Sequence, residues 1–165
     1  GNGAYYASRF AHSWGWATWR RAWKFYDRDM PSFPLDWDAV SAQCSLPLSI
    51  KKWWEIALSN ARLGIVNAWD FQWHYAIMKY NGISIIPNQN LVVNIGYGPA
   101  ATHTKVKDVA SSIRHGRLSC FDSPTSLDCS HEAELFDFKY ALTNNRIPWR
   151  SLREIFRDWK FKLHH

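Results

Sequence analysis

Three stretches of this sequence combine residue types and spacings that could do chemistry. The first is Ser13-Trp14-Gly15-Trp16-Ala17-Thr18-Trp19-Arg20-Arg21-Ala22-Trp23. A glycine at a turn lets the backbone approach a ligand closely. A helix starting just beyond it would offer free N–H groups to a phosphate or a cluster of hydroxyls. The same residues would serve equally as an aromatic helix packed on a sheet, with Gly15 making the turn. The second stretch is Trp69-Asp70-Phe71-Gln72-Trp73. An aspartate in the first turn of a helix is a favourable capping charge. A carboxylate flanked by aromatics also suits a general base that takes the proton of a sugar hydroxyl as its oxygen attacks. The third is Asn90-Leu91-Val92-Val93-Asn94-Ile95-Gly96-Tyr97-Gly98, followed by Ala101-Thr102-His103-Thr104. A glycine-rich loop ending in a lone histidine could set an imidazole beside a divalent metal or a diphosphate. A hydrogen-bonded structural histidine is the plain alternative.

Around these stretches the pattern predicts short strands and several helices. Ala4 to Phe10 reads as a strand. Trp16, Trp19, Trp23 and Tyr26, spaced three and four apart, predict a helix from Trp16 to Tyr26 with Ser13 as its N-cap. Pro31 and Pro34 end that region, and one helical turn is expected near Trp37–Ala42. A helix is predicted from Ser49 to Arg62, with Trp53, Ile56, Ala57 and Asn60 on one face and Gly64 at its C-cap. Another opens at Asn67-Ala68-Trp69-Asp70 and stops at Asn81-Gly82. Ile83 to Ile86 and Leu91 to Ile95 read as strands, and Leu118 to Phe121 as a further short one. Pro148 to Leu163 reads as an amphipathic helix with an arginine- and lysine-bearing outer face. The fold class that follows is α+β, short strands with three or four packed helices.

Composition narrows the function classes. The chain has 165 residues, 47% hydrophobic and 21% charged, enough for one domain with a real core. Its 11 Trp are unusual. Indoles supply buried area, and they also supply the flat apolar faces on which the C–H side of a sugar ring packs. The net charge of +6 is scattered, without a long basic run, which argues for a solvated basic face and against a nucleic-acid-binding domain. Cys44, Cys120 and Cys129 form no C-x-x-C pair, so a zinc ribbon is not expected, and reduced thiols in the cytoplasm are. No apolar run reaches the ~20 residues that span a bilayer.

Taken in order, W-G-W-A-T-W-R-R-A-W, then W-D-x-Q-W, then I-P-x-x-N-L-V-x-N-I-G-x-G-x-x-A-T-H-T resembles the C-terminal half of bacterial GT-A-fold glycosyltransferases, the hemolytic-protein-like nucleotide-diphospho-sugar transferases. The resemblance covers residues 4–105. It implies the acceptor-side half of an α/β/α domain over residues 1–105, followed by a C-terminal extension over residues 106–165. It implies transfer of a sugar from a nucleotide-diphospho-sugar to a hydroxyl acceptor in polysaccharide synthesis, in the cytoplasm or peripherally at the inner face of the membrane. Asp70 falls at the catalytic acidic position, and His103 at the late histidine near a Mn²⁺ or Mg²⁺ ion. Trp14, Gly15, Trp16 and Trp69 border the sugar pocket. The pairs Asp27–Asp29 and Asp36–Asp38 have Asp-x-Asp spacing but follow the Gly-Trp motif, where the family's metal motif precedes it. The donor-binding N-terminal half is therefore expected to be missing from this sequence. The fragment alone is expected to be inactive and able to dimerise over its uncovered surface. A non-catalytic carbohydrate-binding module is the alternative reading.

Overall fold

The computed structural model describes residues 4–93, 115–118 and 127–144, with side chains in the last segment to residue 137. Among the described residues there are five helices and one two-stranded antiparallel sheet, an α+β arrangement. The elements are β1 (Tyr5–Ser8), α1 (Arg20–Trp23), α2 (Trp37–Gln43), α3 (Leu48–Arg62), α4 (Asp70–Lys79), β2 (Ser84–Pro87) and α5 (His131–Asn144). The chain divides into two compact units, Gly1–Glu134 and Leu135–His165. The first holds β1 to β2 and the first turn of α5; the second begins within α5. Among the described residues no helix is long and apolar enough to cross a membrane.

Helix α4 is central to the first unit. It buries Gln72, Trp73, Tyr75, Ala76, Ile77 and Met78, so its apolar surface is not a stripe but most of its circumference. Such a helix needs partners on several sides, and both α2 and α3 pack on it. Helix α3 buries Ile50, Trp54, Leu58 and Ala61. This stripe is one residue, about 100° of rotation, away from the predicted Trp53–Ile56–Ala57–Asn60 face. Trp54 decides the difference: its ring stacks on Phe10 at 5.7 Å and meets Phe71 edge-on at 6.2 Å.

Three helices stop in the same way. After α3, Gly64 adopts φ +70°, its N–H donates to Ala61 O (3.1 Å), and Ile65 N–H reaches Asn60 O (2.9 Å). After α4, Asn81 takes φ +51°, and Gly82 N–H donates to Ile77 O at 2.8 Å. After α2, Ser45 takes φ +51° and its N–H donates to Ala42 O at 2.9 Å. Each is a Schellman-type stop that satisfies the last free carbonyls of its helix. The predicted ends at Gly64 and Asn81-Gly82 rest on this chemistry.

The N-terminal prediction fails. The helix expected from Trp16 to Tyr26 is only the four residues of α1, and Ser13 caps nothing in it. Trp19 is extended (φ −81°, ψ 144°), so the three- and four-residue spacing of the indoles reflects rings converging from an irregular segment. Residues Leu91 to Val93 are likewise not in a strand, and the rest of that predicted strand lies outside the described residues. The same holds for Phe121 and for the helix predicted at Pro148–Leu163, while Leu118 is irregular. Strands β1 and β2 pair with Tyr5 opposite Pro87 and Ser8 opposite Ser84, each shorter than or shifted from its predicted span by a residue or two.

Helix α5 is not foreshadowed by hydrophobic periodicity, yet its first turn is fixed to β1. Ser130 Oγ accepts the Ala133 N–H (3.3 Å), and Ser130 N–H donates to Ala7 O (3.0 Å). Glu134, only 3% exposed, accepts hydrogen bonds from Arg9 N (2.7 Å), from Arg9 Nε (3.1 Å) and from the outer guanidinium nitrogen. The other outer nitrogen donates to Cys44 O. Arg9 is held above its ordinary pKa, mainly by the hydrogen bond to Glu134, despite burial. This fork ties the end of β1, the end of α2 and the start of α5 together. Glu134→Ala leaves a part-buried guanidinium with only the Cys44 carbonyl and should cost about 1–3 kcal/mol of unfolding free energy. Urea denaturation measures it, and a loss below about 1 kcal/mol would show that the pair is not structural.

Candidate functional site

The connection between α3 and α4 forms one wall of a cleft of about 480 Å³. Ala61, Gly64, Val66, Asn67, Ala68 and Trp69 line that wall, Tyr26 and Arg28 face it, and Gln72 closes the floor. The volume falls within the ~300–1,000 Å³ of ordinary small-ligand clefts. The Schellman stop at Gly64 turns the chain back to build the wall. Gln72 is buried, and its amide nitrogen, oriented toward the start of α4, donates to Ala68 O (2.7 Å) and Trp69 O (3.3 Å). It thereby fixes the two residues that present the Trp69 ring. Burial raises the Tyr26 hydroxyl pKa, Asp70 and Asp27 add to the rise, and Arg28 opposes it. The Tyr26 hydroxyl therefore lies within electrostatic reach of Asp70 and Arg28.

Trp69 is 40% exposed and lines the cleft, and it packs among other indoles, of which Trp23 is 39% exposed. The Trp69 ring lies 4.8 Å from Trp16 and 6.2 Å from Trp23. Trp23 in turn lies 5.2 Å from the buried Trp73 and stacks on Tyr26 at 4.4 Å. Each such pair contributes about 0.5–1.5 kcal/mol beyond burial. The result is an aromatic assembly anchored in the core at Trp73, Ala76 and Ile77 and open to solvent at Trp69. Asp70 follows directly, in the first turn of α4, where the helix dipole favours its charge.

The sequence-predicted site residues divide among these roles. Trp69 lines the cleft, and Asp70 adjoins it. Trp16 does not line the cleft but supports Trp69 from behind. Trp14 is 45% exposed and outside the lining. Gly15 has φ +64°, and a Cβ there would lie 2.5 Å from Val92 Cγ2. Its lack of a side chain serves the turn and its packing on the third motif. No helix begins at Gly15, so the dipole-based anion site considered for it does not form; α1 starts five residues later. His103 lies outside the described residues. Tyr26, Arg28, Asn67 and Gln72 are lining residues that the sequence did not single out. Asn67 and Gln72 were visible as neighbours of Asp70, while Tyr26 and Arg28 join the site only through the tertiary fold.

A second polar group was not foreseen. Both ring nitrogens of His74 approach backbone carbonyls, Nδ1 at 2.7 Å from Asp70 O and Nε2 at 2.8 Å from Ala11 O. Its ring packs on Trp54 at 4.9 Å. Burial lowers its pKa below the ordinary histidine value; the two carbonyls and Asp70 pull the other way, and His12 assists burial. On the far side of α4, Lys79 pairs with Asp36 (3.1 Å) and donates to Ser32 Oγ, which hydrogen-bonds Tyr75 Oη (2.8 Å). The Tyr75 hydroxyl donates to Asp36. Burial works to raise the Asp36 carboxyl pKa, but hydrogen bonds from Tyr75, Ser32 and Lys79 leave it below the usual value. Burial and Asp36 together push Tyr75 up. These groups satisfy one another around a cavity of about 140 Å³.

Cys44 and Cys129 are free thiols, and Cys120 lies outside the described residues. Among the described residues no group of three or more His, Cys, Asp or Glu side chains is placed to hold a metal ion. Comparison with family models, curated protein sequences and solved structures finds no match for the chain.

Two predictions follow from the geometry. Gly15→Ala should destabilise the protein by at least about 2 kcal/mol, from the left-handed backbone and the Val92 clash together. Val92→Ala should recover only part of the loss, because it relieves the clash and not the backbone. Full recovery in a double-mutant cycle would mean that the backbone term is absent. For His74, a folded pKa below the ordinary ~6.5 means that the unfolded chain binds the extra proton first. Its contribution to stability is complete above pH ~6.5 and is lost as pH falls below it. His74→Gln should flatten that part of the stability–pH curve. A wild-type excess stability at lower pH, relative to the variant, would show that the two carbonyls outweigh burial.

Proposed function

We propose that this chain is the acceptor-side part of a GT-A-type glycosyltransferase that moves a sugar from a nucleotide-diphospho-sugar to a hydroxyl of a carbohydrate acceptor. The observation that carries the reading is the 40% exposed Trp69 ring lining a cleft, with Asp70 the next residue at the start of α4. An aromatic face with neighbouring hydrogen-bonding groups, Asn67 and the Tyr26 hydroxyl, suits the apolar and polar sides of a sugar ring. Asp70 takes the proton of the acceptor hydroxyl, the freed oxygen bonds to the anomeric carbon, and the bond to the nucleotide diphosphate breaks with its electron pair on the diphosphate. A divalent metal would supply charge neutralisation of that leaving diphosphate. Among the described residues no cluster is placed to hold that ion, and the donor half together with His103 would hold it.

One observation favours a second reading. Among the described residues no carboxylate lines the cleft, so a carbohydrate-binding module could use Trp69, Tyr26 and Asn67 without any need for Asp70. Asp70→Asn in the enzyme that also carries the donor half separates the two. Under the catalytic reading it should cut transfer about 10²–10⁴-fold while leaving nucleotide-sugar binding intact. Turnover close to wild type in that variant sinks the base assignment. Trp69→Ala should weaken acceptor binding under either reading, as seen by calorimetric titration with oligosaccharides.

A further inference from the structure

The cleft contains a charged group that sugar transfer, as proposed above, does not use. Arg28 is exposed and lines the same cleft as Trp69, two residues after Tyr26. Among the described residues Arg9 pairs with Glu134, Lys51 with Asp38 and Lys79 with Asp36. Arg28 forms no ion pair among the described residues. Asp27 accepts the Asp29 N–H (2.9 Å) and lines the other, smaller cavity. Asp70 is not among the residues that line the cleft.

A guanidinium is a planar fork of five N–H donors that matches a carboxylate or a phosphate with two parallel hydrogen bonds. Lining one cleft with the Trp69 ring, it favours a ligand that carries both a flat apolar face and an anionic substituent. We infer that the acceptor is an acidic carbohydrate, bearing a carboxylate or a phosphate that Arg28 holds while the sugar ring lies on Trp69. The inference rests on reading the cleft as a carbohydrate site and adds the charge of its occupant. The surplus of basic residues, +6 overall, acts in the same direction by drawing anions toward the surface.

Calorimetric titration of the chain with three matched oligosaccharides tests this: a neutral one, its uronic acid counterpart and its phosphorylated counterpart. At least one acidic probe should bind at least about tenfold more tightly than the neutral one, as expected for a charge-assisted hydrogen bond. The better of the two acidic arms identifies the substituent. Arg28→Gln should bring the acidic affinity down to that of the neutral probe, and Arg28→Lys, which keeps the charge without the fork, should fall between. Arg28 is exposed, so unchanged far-ultraviolet circular dichroism is expected of both variants. Equal binding of neutral and acidic probes, with loss of both in Trp69→Ala, overturns the inference and leaves the carbohydrate reading standing. An acidic preference that persists in Arg28→Gln also overturns it. Binding of none of the three overturns the carbohydrate reading and the inference together.

Discussion

The His74 ring joins two distant parts of the chain, adding a polar tie where Ala11 and Trp16 already pack on α4. One nitrogen meets the carbonyl of Ala11, in the segment leaving β1, and the other meets the carbonyl of Asp70, at the start of α4. The neutral ring carries one N–H, so one of the two carbonyls accepts its hydrogen bond while the other lies against the second nitrogen. Once Ala11 is tied to α4, the chain between β1 and α1 must run along that helix. The Gly15 turn then packs on Val92, and Trp16 comes to rest behind Trp69. The exposed ring of the cleft is thus positioned from behind by a hydrogen-bonded tie and not by its own contacts with solvent-facing residues.

The two faces of α4 treat charge differently. On one, Ser32, Asp36, Tyr75 and Lys79 form a closed set in which each donor has an acceptor, and the cavity beside them is small. Such a network contributes rigidity and leaves little for a ligand to bind. On the other face the cleft is larger, and among the described residues Arg28 forms no ion pair. Gln72 borders both cavities, and its amide is already committed to the start of α4. The asymmetry separates a structural side of the helix from a side with unspent hydrogen-bonding capacity.

Local chemistry made part of this legible in the sequence. Gly64 and Asn81-Gly82 marked helix ends because a left-handed residue is what a Schellman stop requires, and α3 and α4 were expected within a few residues of where they lie. The aromatic motif around Asp70 was visible for the same reason, since its members are neighbours along one helix. What escaped depended on tertiary contacts. Trp16, Trp19 and Trp23 have helical spacing, yet Trp19 is extended and 60% exposed, with the Arg21 guanidinium over its ring at 5.0 Å. The start of α5 carried a capping serine and acidic residues in its first turn, a fair signal. Its anchor was invisible because Arg9 and Glu134 are 125 positions apart. Tyr26 and Arg28 reach the cleft only because the segment after α1 folds back toward the α3–α4 connection.

The four indoles of Trp16, Trp23, Trp69 and Trp73 lie with neighbouring centroids between 4.8 and 6.2 Å apart, at oblique mutual angles. At such separations their excited states are not independent. They form one chiral chromophore, whose near-ultraviolet circular dichroism depends on the angles between the rings and whose emission drains toward the lowest-energy member. Trp69 is the member that opens onto the cleft, so whatever settles on it alters the optical signature of the whole set. The packing that holds the site in place also makes it an intrinsic reporter of its own occupancy.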